Sequence, residues 1–441
     1  MKLHQFFFSL LVILLPVQLA RHFWPDFSLV FGIRIDYLSP TLYLTDLLVV
    51  GILGSWAWKK IGNCPAGRDP AQREKLEIGN YAKRYWWIIA VFCFLLVNAL
   101  FAQNQGAALY KFVKIVEFSL LGFYVARNYH LQGVPSLSAN SSTSEVKRIY
   151  YPLFSPGNKL CLSIAIIYSS LIALAQFIKQ GSLNGVFWFL GERTFNASTP
   201  GIARAVFEGQ LIMRPYATFP HPNVLAGFIL VSLILIAIGN KQQVTSKIFK
   251  WPAIGLGAAA IVLSFSRSVW LVGILVGIWY IASSLWKKEK AKLLIIILMI
   301  SIAGFLYFAP RLSLDEAISY RVQLNKIALE MTRQNPLIGV GLNNFIPQLP
   351  HYWSTPESVR FLQPVHNIFL LVAAETGLVG LLIFLWFLIL TYRRLLHCYL
   401  ATLLIALSAI LALGLFDHYW LTLQQTQLLF TIILGLAWAK D

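Results

Sequence analysis

Two segments of the 441-residue chain place arginines where they could bind an anion. Arg267 lies in SFSRSVW, between two apolar runs that together form a predicted hairpin, and Arg214 opens RPYATFPHPNVLAG. A fixed guanidinium can hold two phosphate oxygens at once, so Arg267 predicts a phosphate-binding group. The alternatives are a lipid-headgroup contact for Arg267 and a solubilising loop charge for Arg214. His221 lies between Pro220 and Pro222, which stiffen the entry to the following helix.

A histidine and a glutamate share one long apolar run, HNIFLLVAAETGLVG. His366 opens the run, and Glu375 lies about 13 Å deeper at the helical rise per residue. An ionisable group at membrane depth is expensive and is a functional candidate, although a carboxyl paired inside the bundle is the alternative. For His366 the alternative is an interfacial helix cap. At 100° per residue, Gly377 and Gly380 share its helix face, where a neighbouring helix could pack closely.

A further basic segment precedes that run. Helical spacing is followed by Tyr320, Leu324, Ile327, Ala328 and Met331. Ser313 and Glu316 fit a capping box, and the helix should end before Asn335-Pro336. The pattern predicts an amphipathic helix on or near the outer membrane surface, where Arg321 contacts headgroups by default.

The composition indicates which elements must position these residues. Hydrophobic residues make up 58% of the chain and charged residues 12%, against about 25% charged in soluble domains. The mean hydropathy is +0.66. A soluble enzyme, a disordered tail and a fibre are excluded, and the chain is predicted to be an all-α polytopic membrane protein. The net charge of +18 falls mostly in short loops between apolar runs, which argues against nucleic-acid binding.

A bilayer core needs about 20 apolar residues per helix. Runs of this kind predict about twelve transmembrane helices in a single integral membrane domain, residues 1–441. They lie near residues 5–20, 41–58, 85–101, 110–126, 160–178, 223–239, 251–265, 268–286, 293–309, 366–390, 398–416 and 423–438.

The distribution of basic residues predicts the orientation. With both termini in the cytoplasm, 22 of the 36 Lys and Arg residues fall on that side, as the positive-inside rule requires. Two outer loops are then long, at about 180–222 and about 310–365. Loops of this length are usually functional or disordered.

Several motifs of catalysis are absent from the sequence. It contains no Walker motif, no HExxH, no Gly-x-Ser-x-Gly and no paired Asp-x-Asp. The segment Gly339-Val340-Gly341-Leu342 follows a predicted helix and not a strand, so it does not fit a dinucleotide-binding loop. The outer loops therefore offer basic groups for an anionic substrate, and no metal site or cofactor is predicted.

Four motifs in order resemble the O-antigen ligase family. HNIFLLVAAETGLVG matches the family pattern of His, then Asn, Ser or Gln, nine residues, Gly, two residues, and Gly, Thr or Tyr. YRVQLNKIALEMTRQNPLIGVGLNNF resembles the outer-loop segment that leads to that histidine. RPYATFPHPNVLAG and SFSRSVW resemble the family's Arg…Thr-Phe-x-x-Pro-Asn stretch and its Ser-Arg turn. The resemblance covers about residues 200–390, and RIDYLSPTLYLTDLL extends it more weakly towards the N-terminus.

The resemblance implies a multi-helix, metal-independent glycosyltransferase at the periplasmic face of the bacterial inner membrane. Its donor would be a glycan on undecaprenyl diphosphate, and its acceptor the lipid A–core oligosaccharide. It implies His366 as the base, Arg267 and Arg214 as diphosphate ligands, and Arg321 as a weaker ligand of the same anion. Asn367 and His221, which lie in the motifs, and the buried Glu375 are expected to contribute to substrate binding.

Two alternatives differ from a ligase. An O-antigen or exopolysaccharide polymerase of the same family would use another lipid-linked glycan as acceptor. A polytopic solute transporter would also fit twelve helices with buried Glu375 and Asp46, but transporters often show two similar halves. No motif in residues 1–200 mirrors those in residues 200–390.

Overall fold

Helices dominate the computed structural model, which describes residues 2–62, 86–129, 156–207, 209–237, 244–285, 315–353, 362–398 and 400–439. The first eight helices in these ranges are α1 (Leu3–Ile13), α2 (Leu44–Gly62), α3 (Trp86–Leu100), α4 (Gln105–Asn128), α5 (Pro156–Lys179), α6 (Pro222–Ala237), α7 (Val244–Leu263) and α8 (Arg267–Leu285). The remaining six are α9 (Asp315–Gln334), α10 (Phe345–Tyr352), α11 (Ile368–His397), α12 (Ala401–Gly414), α13 (Tyr419–Thr422) and α14 (Gln424–Ala437).

The apolar runs of the sequence correspond closely to these helices. Eleven of the twelve predicted runs overlap a helix, and the run near 293–309 lies outside the described residues. Within the described part, residues Gly157–Lys179 and Ile368–His397 are long and apolar enough to cross a membrane by themselves, and further apolar helices are shorter. The first run was predicted to extend to residue 20, but α1 ends at Ile13, shortly before Pro16, which cannot continue a helix. The mostly helical architecture is consistent with the predicted helical membrane protein.

Helix α6 lies at the centre of the bundle. Fourteen of its residues are buried, on every side of the helix, and it packs against α5, α7, α12 and α14. A helix that is apolar all round is stable only when it is surrounded by other apolar elements. Gly227 leaves room for the phenol of Tyr419, with which a Cβ there would collide. The residues before α6, including Arg214 and His221, are therefore held at the end of an enclosed helix.

Short antiparallel hairpins cap the end of the bundle that carries His366, an addition that the all-α prediction did not contain. Strand β1 (Ala20–His22) pairs with β4 (Thr41–Tyr43), and β2 (Leu29–Val30) pairs with β3 (Ile33–Arg34). Strand β5 (Arg204–Phe207) pairs with β6 (Gln210–Met213) in the first of the two long loops. The turn between β2 and β3 is Phe31-Gly32, both with positive φ, which is the geometry of a tight two-residue hairpin.

Helix α11 is interrupted at Gly377, whose φ of 68° lies in the left-handed region. The interruption leaves the backbone carbonyls of Ala374 and Glu375 free to accept bonds from outside the helix. They accept the N–H groups of Val340 at 2.8 Å and Gly341 at 3.0 Å, which belong to the loop between α9 and α10. Loop and interrupted helix thus complete each other's hydrogen bonding, as buried irregular backbone requires.

The prediction that His366, Gly377 and Gly380 share one helix face is wrong. The projection assumed 100° per residue throughout, and the backbone leaves helical geometry at Gly377. The partner packed there is also a loop and not a helix, since a Cβ at residue 377 would collide with the carbonyl of Leu337. Gly377 is therefore required by its positive φ and by this close backbone approach.

The amphipathic helix α9 buries its apolar face in protein. Its end at Gln334, directly before Asn335-Pro336, is the end that the sequence predicts, whereas Ser313 lies outside the described residues. Buried positions on this face are Leu324, Ile327, Ala328 and Met331, which pack with residues of α10 and α11. The sequence predicted an amphipathic helix on or near the outer membrane surface, and its position relative to a membrane stays a prediction. In the structure its apolar face contributes to a small second core.

Candidate functional site

Two histidines and an aspartate meet at the hairpin end of the bundle. His366 directly precedes the start of α11, and Asp417 and His418 form the turn between α12 and α13. One nitrogen or carboxylate oxygen from each of the three lies within 4.8 Å of the others. The imidazole rings of His366 and His418 are 5.2 Å apart, edge to face. Because α11 and α12 are consecutive helices that pack together, the start of α11 lies beside the end of α12, and this brings the three residues to one place.

Asp417 is the only carboxylate in this three-residue group and is 9% exposed. It accepts the backbone N–H of His418 at 2.9 Å and the Nδ2–H of Asn223, at the start of α6, at 3.4 Å. Burial opposes its charge, but the basic residues around it, His366, His418 and Arg321 among them, outweigh burial and lower the pKa of Asp417 to about 2. The group is therefore an anion held among basic side chains.

Arg214 is fixed beside this carboxylate. Its Nε donates to the carbonyl of Ser264 at 2.6 Å, and its Nη2 donates to Oδ1 of Asn223, also at 2.6 Å. Asn223 thus bonds both Arg214 and Asp417. Burial lowers the pKa of Arg214 to about 10, and the charges of Arg321 and Arg267 add to that effect. The guanidinium remains charged at neutral pH.

His221 and His366 are both neutral at pH 7. Burial lowers the pKa of His221 to about 3, and Arg214 adds to this shift. Its Nδ1 accepts the backbone N–H of Asn223 at 3.1 Å, which places the ring proton on Nε2. Burial also lowers the pKa of His366, although Asp417 opposes the shift. The Nδ1 atom of His366 is buried and bonds no other described residue, so it is free to accept or hold a proton.

Two further arginines border this group. Arg321, on α9, donates from Nη1 to the carbonyl of Phe416 at 3.3 Å and is half-buried. Arg267 is the first residue of α8 and follows the Ser264–Ser266 turn, in which Phe265 adopts a left-handed φ of 51°. The carbonyl of Ser264 that Arg214 binds belongs to the same turn. The three arginines predicted from sequence therefore surround the same end of the bundle.

Asn367 and Glu375 occupy different positions from the other predicted residues. Oδ1 of Asn367 caps helix α11 by accepting the N–H groups of Phe369 at 2.9 Å and Leu370 at 3.1 Å, a structural contact beside His366. Glu375 is 9% exposed and lies at the interruption of α11, where its Oε1 accepts the N–H of Phe345 at 3.4 Å. Among the described residues, its hydrogen bonds thus include those to the loop before α10 and to the first residue of that helix, and none joins it to the group around Asp417.

Sequence reasoning did not identify Asp417, His418 or Tyr37. The ring of Tyr37 packs edge to face on His418, with ring centres 5.4 Å apart. Burial raises the pKa of Tyr37, and the charge of Asp417 adds to the shift. A signal for the first two existed: FDHYW separates two apolar runs at a turn predicted to lie on the same side as His366. Tyr37 is carried by RIDYLSPTLYLTDLL, whose resemblance was noted without a role.

The group of His366, Asp417 and His418 has the donor types of a transition-metal site. The contacts around it favour hydrogen bonding instead. Nδ1 of His418 already pairs with the hydroxyl of Thr422 at 2.7 Å, and Asp417 bonds two N–H groups. The nearby guanidinium of Arg214 is a like charge for any divalent cation.

These observations define a mostly helical protein with two candidate membrane spans among its described residues and a basic, histidine-containing candidate site at one end of its bundle. A family model described as O-antigen ligase (Wzy_C) matches residues 252–385, which include Arg267, Arg321 and His366. This match over about a third of the chain agrees with the resemblance noted from the motifs, so the similarity of this region to the O-antigen ligase family is confirmed. The family comprises membrane glycosyltransferases of the ligase and polymerase types. No curated protein sequence gives a significant match. Arg214 and Asp417 lie outside the matched residues.

Proposed function

We propose that the protein is an O-antigen ligase that transfers a glycan from undecaprenyl diphosphate to a hydroxyl of the lipid A–core oligosaccharide. The reaction would take place at the periplasmic face of the bacterial inner membrane, with both termini in the cytoplasm. One observation carries the proposal: Arg214, His221 and His366 converge on the buried Asp417, with Arg321 beside them. This arrangement suits a reaction that needs a fixed cationic surface and a neutral base together.

The arginines would bind the leaving group. In the transfer, the bond between the anomeric carbon and the diphosphate oxygen breaks while the acceptor oxygen forms a new bond to that carbon. Negative charge develops on the departing oxygen, and preorganised donors that are already charged stabilise it without reorganising. Arg214 is anchored at 2.6 Å by both Ser264 and Asn223, so its position is set before substrate binds. Arg267 and Arg321 would complete the diphosphate-binding surface.

His366 would take the proton of the acceptor hydroxyl. Its neutral form is favoured at pH 7, and its buried Nδ1 makes no hydrogen bond to another described residue. A general base needs such a neutral nitrogen that can accept a proton. When His366 becomes an imidazolium, the adjacent Asp417 carboxylate stabilises the new charge. His221, Asn367 and Tyr37 would shape the surroundings of these two groups. Attack from the face opposite the leaving diphosphate inverts the anomeric centre.

We propose that no metal takes part, because the arginines supply the positive charge that a divalent cation would otherwise provide. Purified protein should keep its full transfer rate in saturating EDTA. Activity that disappears in EDTA and returns with Mg²⁺ or Zn²⁺ would assign His366, Asp417 and His418 as metal ligands instead. A metal assay of the purified protein gives a second, independent readout.

The acceptor is tested by the glycans of cells that lack this protein. A ligase is indicated when lipid A–core carries no polymer and long polymer remains on the lipid carrier. Single repeat units on the core would instead indicate the polymerase, the second function of the family. Complementation with His366→Ala is the matched control, since it restores the protein without the proposed base.

Contacts of the buried carboxylates support the transferase over a transporter. Asp46 binds the ammonium of Lys114 at 2.8 Å and also receives a bond from Gln424. Lys114 binds Glu117 at 2.6 Å in turn. Groups that are tied into such a network hold helices together, whereas an ion or proton pathway needs carboxylates that can exchange partners.

A further inference from the structure

A buried amide and a buried carboxylate meet beneath the first long loop. Gln176, in the last turns of α5, is fully buried, and Glu192 in the loop is 4% exposed. Nε2 of Gln176 donates to Oε1 of Glu192 at 2.7 Å. The carboxylate also accepts the backbone N–H groups of Leu183 and Asn184, each at 2.7 Å. Three donors on one carboxylate offset the cost of burying its charge, so the pair specifies a single loop conformation.

The same glutamine holds a strained turn. Its Oε1 accepts the N–H groups of Tyr216 at 3.0 Å and Ala217 at 2.7 Å, and its Nε2 also donates to the carbonyl of Ala217 at 3.0 Å. Ala217 has a φ of 51°, a left-handed conformation that costs a residue other than glycine stability. Gln176 therefore bonds both backbone groups of the strained residue, as a neighbouring strand would.

This turn lies between two residues of the candidate site. Arg214 comes three positions before Ala217, and His221 comes four positions after it. The direction of the chain between them is set by the turn, because Arg214 continues from strand β6 and His221 leads into α6. A shift of the turn would move both side chains away from Asn223, which contacts each of them.

We propose that Gln176 and Glu192 are positioning residues for the diphosphate-binding surface, acting through the turn at Ala217 on Arg214. The inference rests on the proposed function, because it takes diphosphate as the ligand of Arg214. Glu192 fixes the amide of Gln176, and Gln176 fixes the turn. Neither side chain needs to touch the substrate.

The test measures binding of inorganic diphosphate to the purified full-length protein by calorimetry. Glu192→Gln gives the buried position only one acceptor oxygen for three donors, and Gln176→Glu places two carboxylates side by side. Each should weaken diphosphate binding about tenfold, the effect of misplacing one charge-assisted hydrogen bond. The exchange variant, Gln176→Glu with Glu192→Gln, restores an amide–carboxylate pair and should recover part of the affinity. Ser169→Ala, a buried change two turns lower on α5, should leave binding unchanged.

The outcomes separate this inference from the proposed function. Wild-type protein that does not bind diphosphate would overturn the proposed binding surface itself. If wild-type protein binds diphosphate and both single variants bind it within twofold of wild type, only the positioning role is overturned. If a single variant fails to fold, Ala217→Gly supplies the second background, because glycine adopts the left-handed turn without strain. The variant that failed to fold is then combined with Ala217→Gly and compared with Ala217→Gly alone. If Gln176 and Glu192 have the positioning role, the combined variant should bind diphosphate more weakly. Equal affinity of the two proteins would overturn that role.

Discussion

The titratable groups at the start of α11 and at its interruption differ in what they contact. His366, directly before the helix, lies beside Asp417 and His418, and its Nδ1 bonds no other described residue. Glu375, at the interruption, accepts the backbone N–H groups of Gly341 and Phe345, which lie in the loop before α10 and at its first residue. Both are ionisable groups on one apolar run, and sequence alone marked both as candidates. The contrast favours His366 as the reactive group and Glu375 as a group that completes the packing.

The largest effect is expected from His366→Ala. Removal of a general base typically lowers a rate by about a hundredfold to ten-thousandfold. The variant should remain folded, since the imidazole is at the helix entry and its Nδ1 makes no hydrogen bond to any residue that the structure describes. Transfer is measured in membranes with matched protein levels. His22→Ala is the control, because His22 bonds Thr41 in the hairpin segment and lies in no motif of the site. Near-normal transfer in His366→Ala would show that His366 is not the base, and it would then differ from Glu375 only in its contacts.

The next largest effect concerns the arginines. Arg214→Lys and Arg267→Lys keep the charge but lose the planar pair of donors. Loss of a charge-assisted hydrogen bond in the transition state lowers the rate about tenfold to a hundredfold. The same change at the exposed Arg333 should have no effect. Full transfer by Arg267→Lys would make that residue a headgroup contact.

The acid limb of the pH profile is expected below pH 6.5. Burial lowers the pKa of His366 from its ordinary 6.5, with a smaller contribution from Arg321. The base is active when neutral, so transfer is retained on acidification through pH 6.5 and is lost only below the lowered pKa. Removing the charge in Arg321→Gln should move the acid limb upward. A limb that begins above pH 7 would contradict the assignment of His366 as the base.

The smallest effect on catalysis is expected from Glu375→Gln. The amide keeps an oxygen that can accept the N–H of Phe345, so transfer should stay within about threefold of wild type, with a lower melting temperature from the altered buried contact. Glu330→Gln, at a partly exposed position on α9, should alter neither quantity. A hundredfold loss of transfer with an unchanged melting temperature would make Glu375 part of the reaction.

Local patterns in the sequence predicted the helices and named basic residues that the structure brings together at the candidate site. Apolar runs were sufficient for helix positions such as α5 and α6, because burial in lipid or protein selects the same residue types. The motifs identified Arg214, Arg267, Arg321 and His366. The interruption at Gly377 was not predictable from periodicity, since it depends on a loop that supplies N–H groups from another part of the chain.

The site was only partly predictable for a related reason. Asp417 becomes important through Asn223 and His366, which are 194 and 51 positions away along the chain. An isolated aspartate at a turn has many roles, and only the assembled bundle shows which neighbours surround it. The role of Gln176 was likewise not predictable from its position in the sequence. Its side-chain partners lie in the loop at about 180–222, which was predicted only to be long and to carry basic groups.

The interrupted helix α11 also constrains the order in which the chain can fold during synthesis. The loop residues up to Gly341 leave the ribosome before residues 374–378, and each segment supplies hydrogen-bond partners that the other needs. Buried peptide groups without partners are costly, so the loop reaches its final packing only when both segments are available. A nascent chain that stops before Leu378 still lacks the N–H that bonds the carbonyl of Pro336 at 2.8 Å. Stable folding of this region therefore requires the second part of the helix.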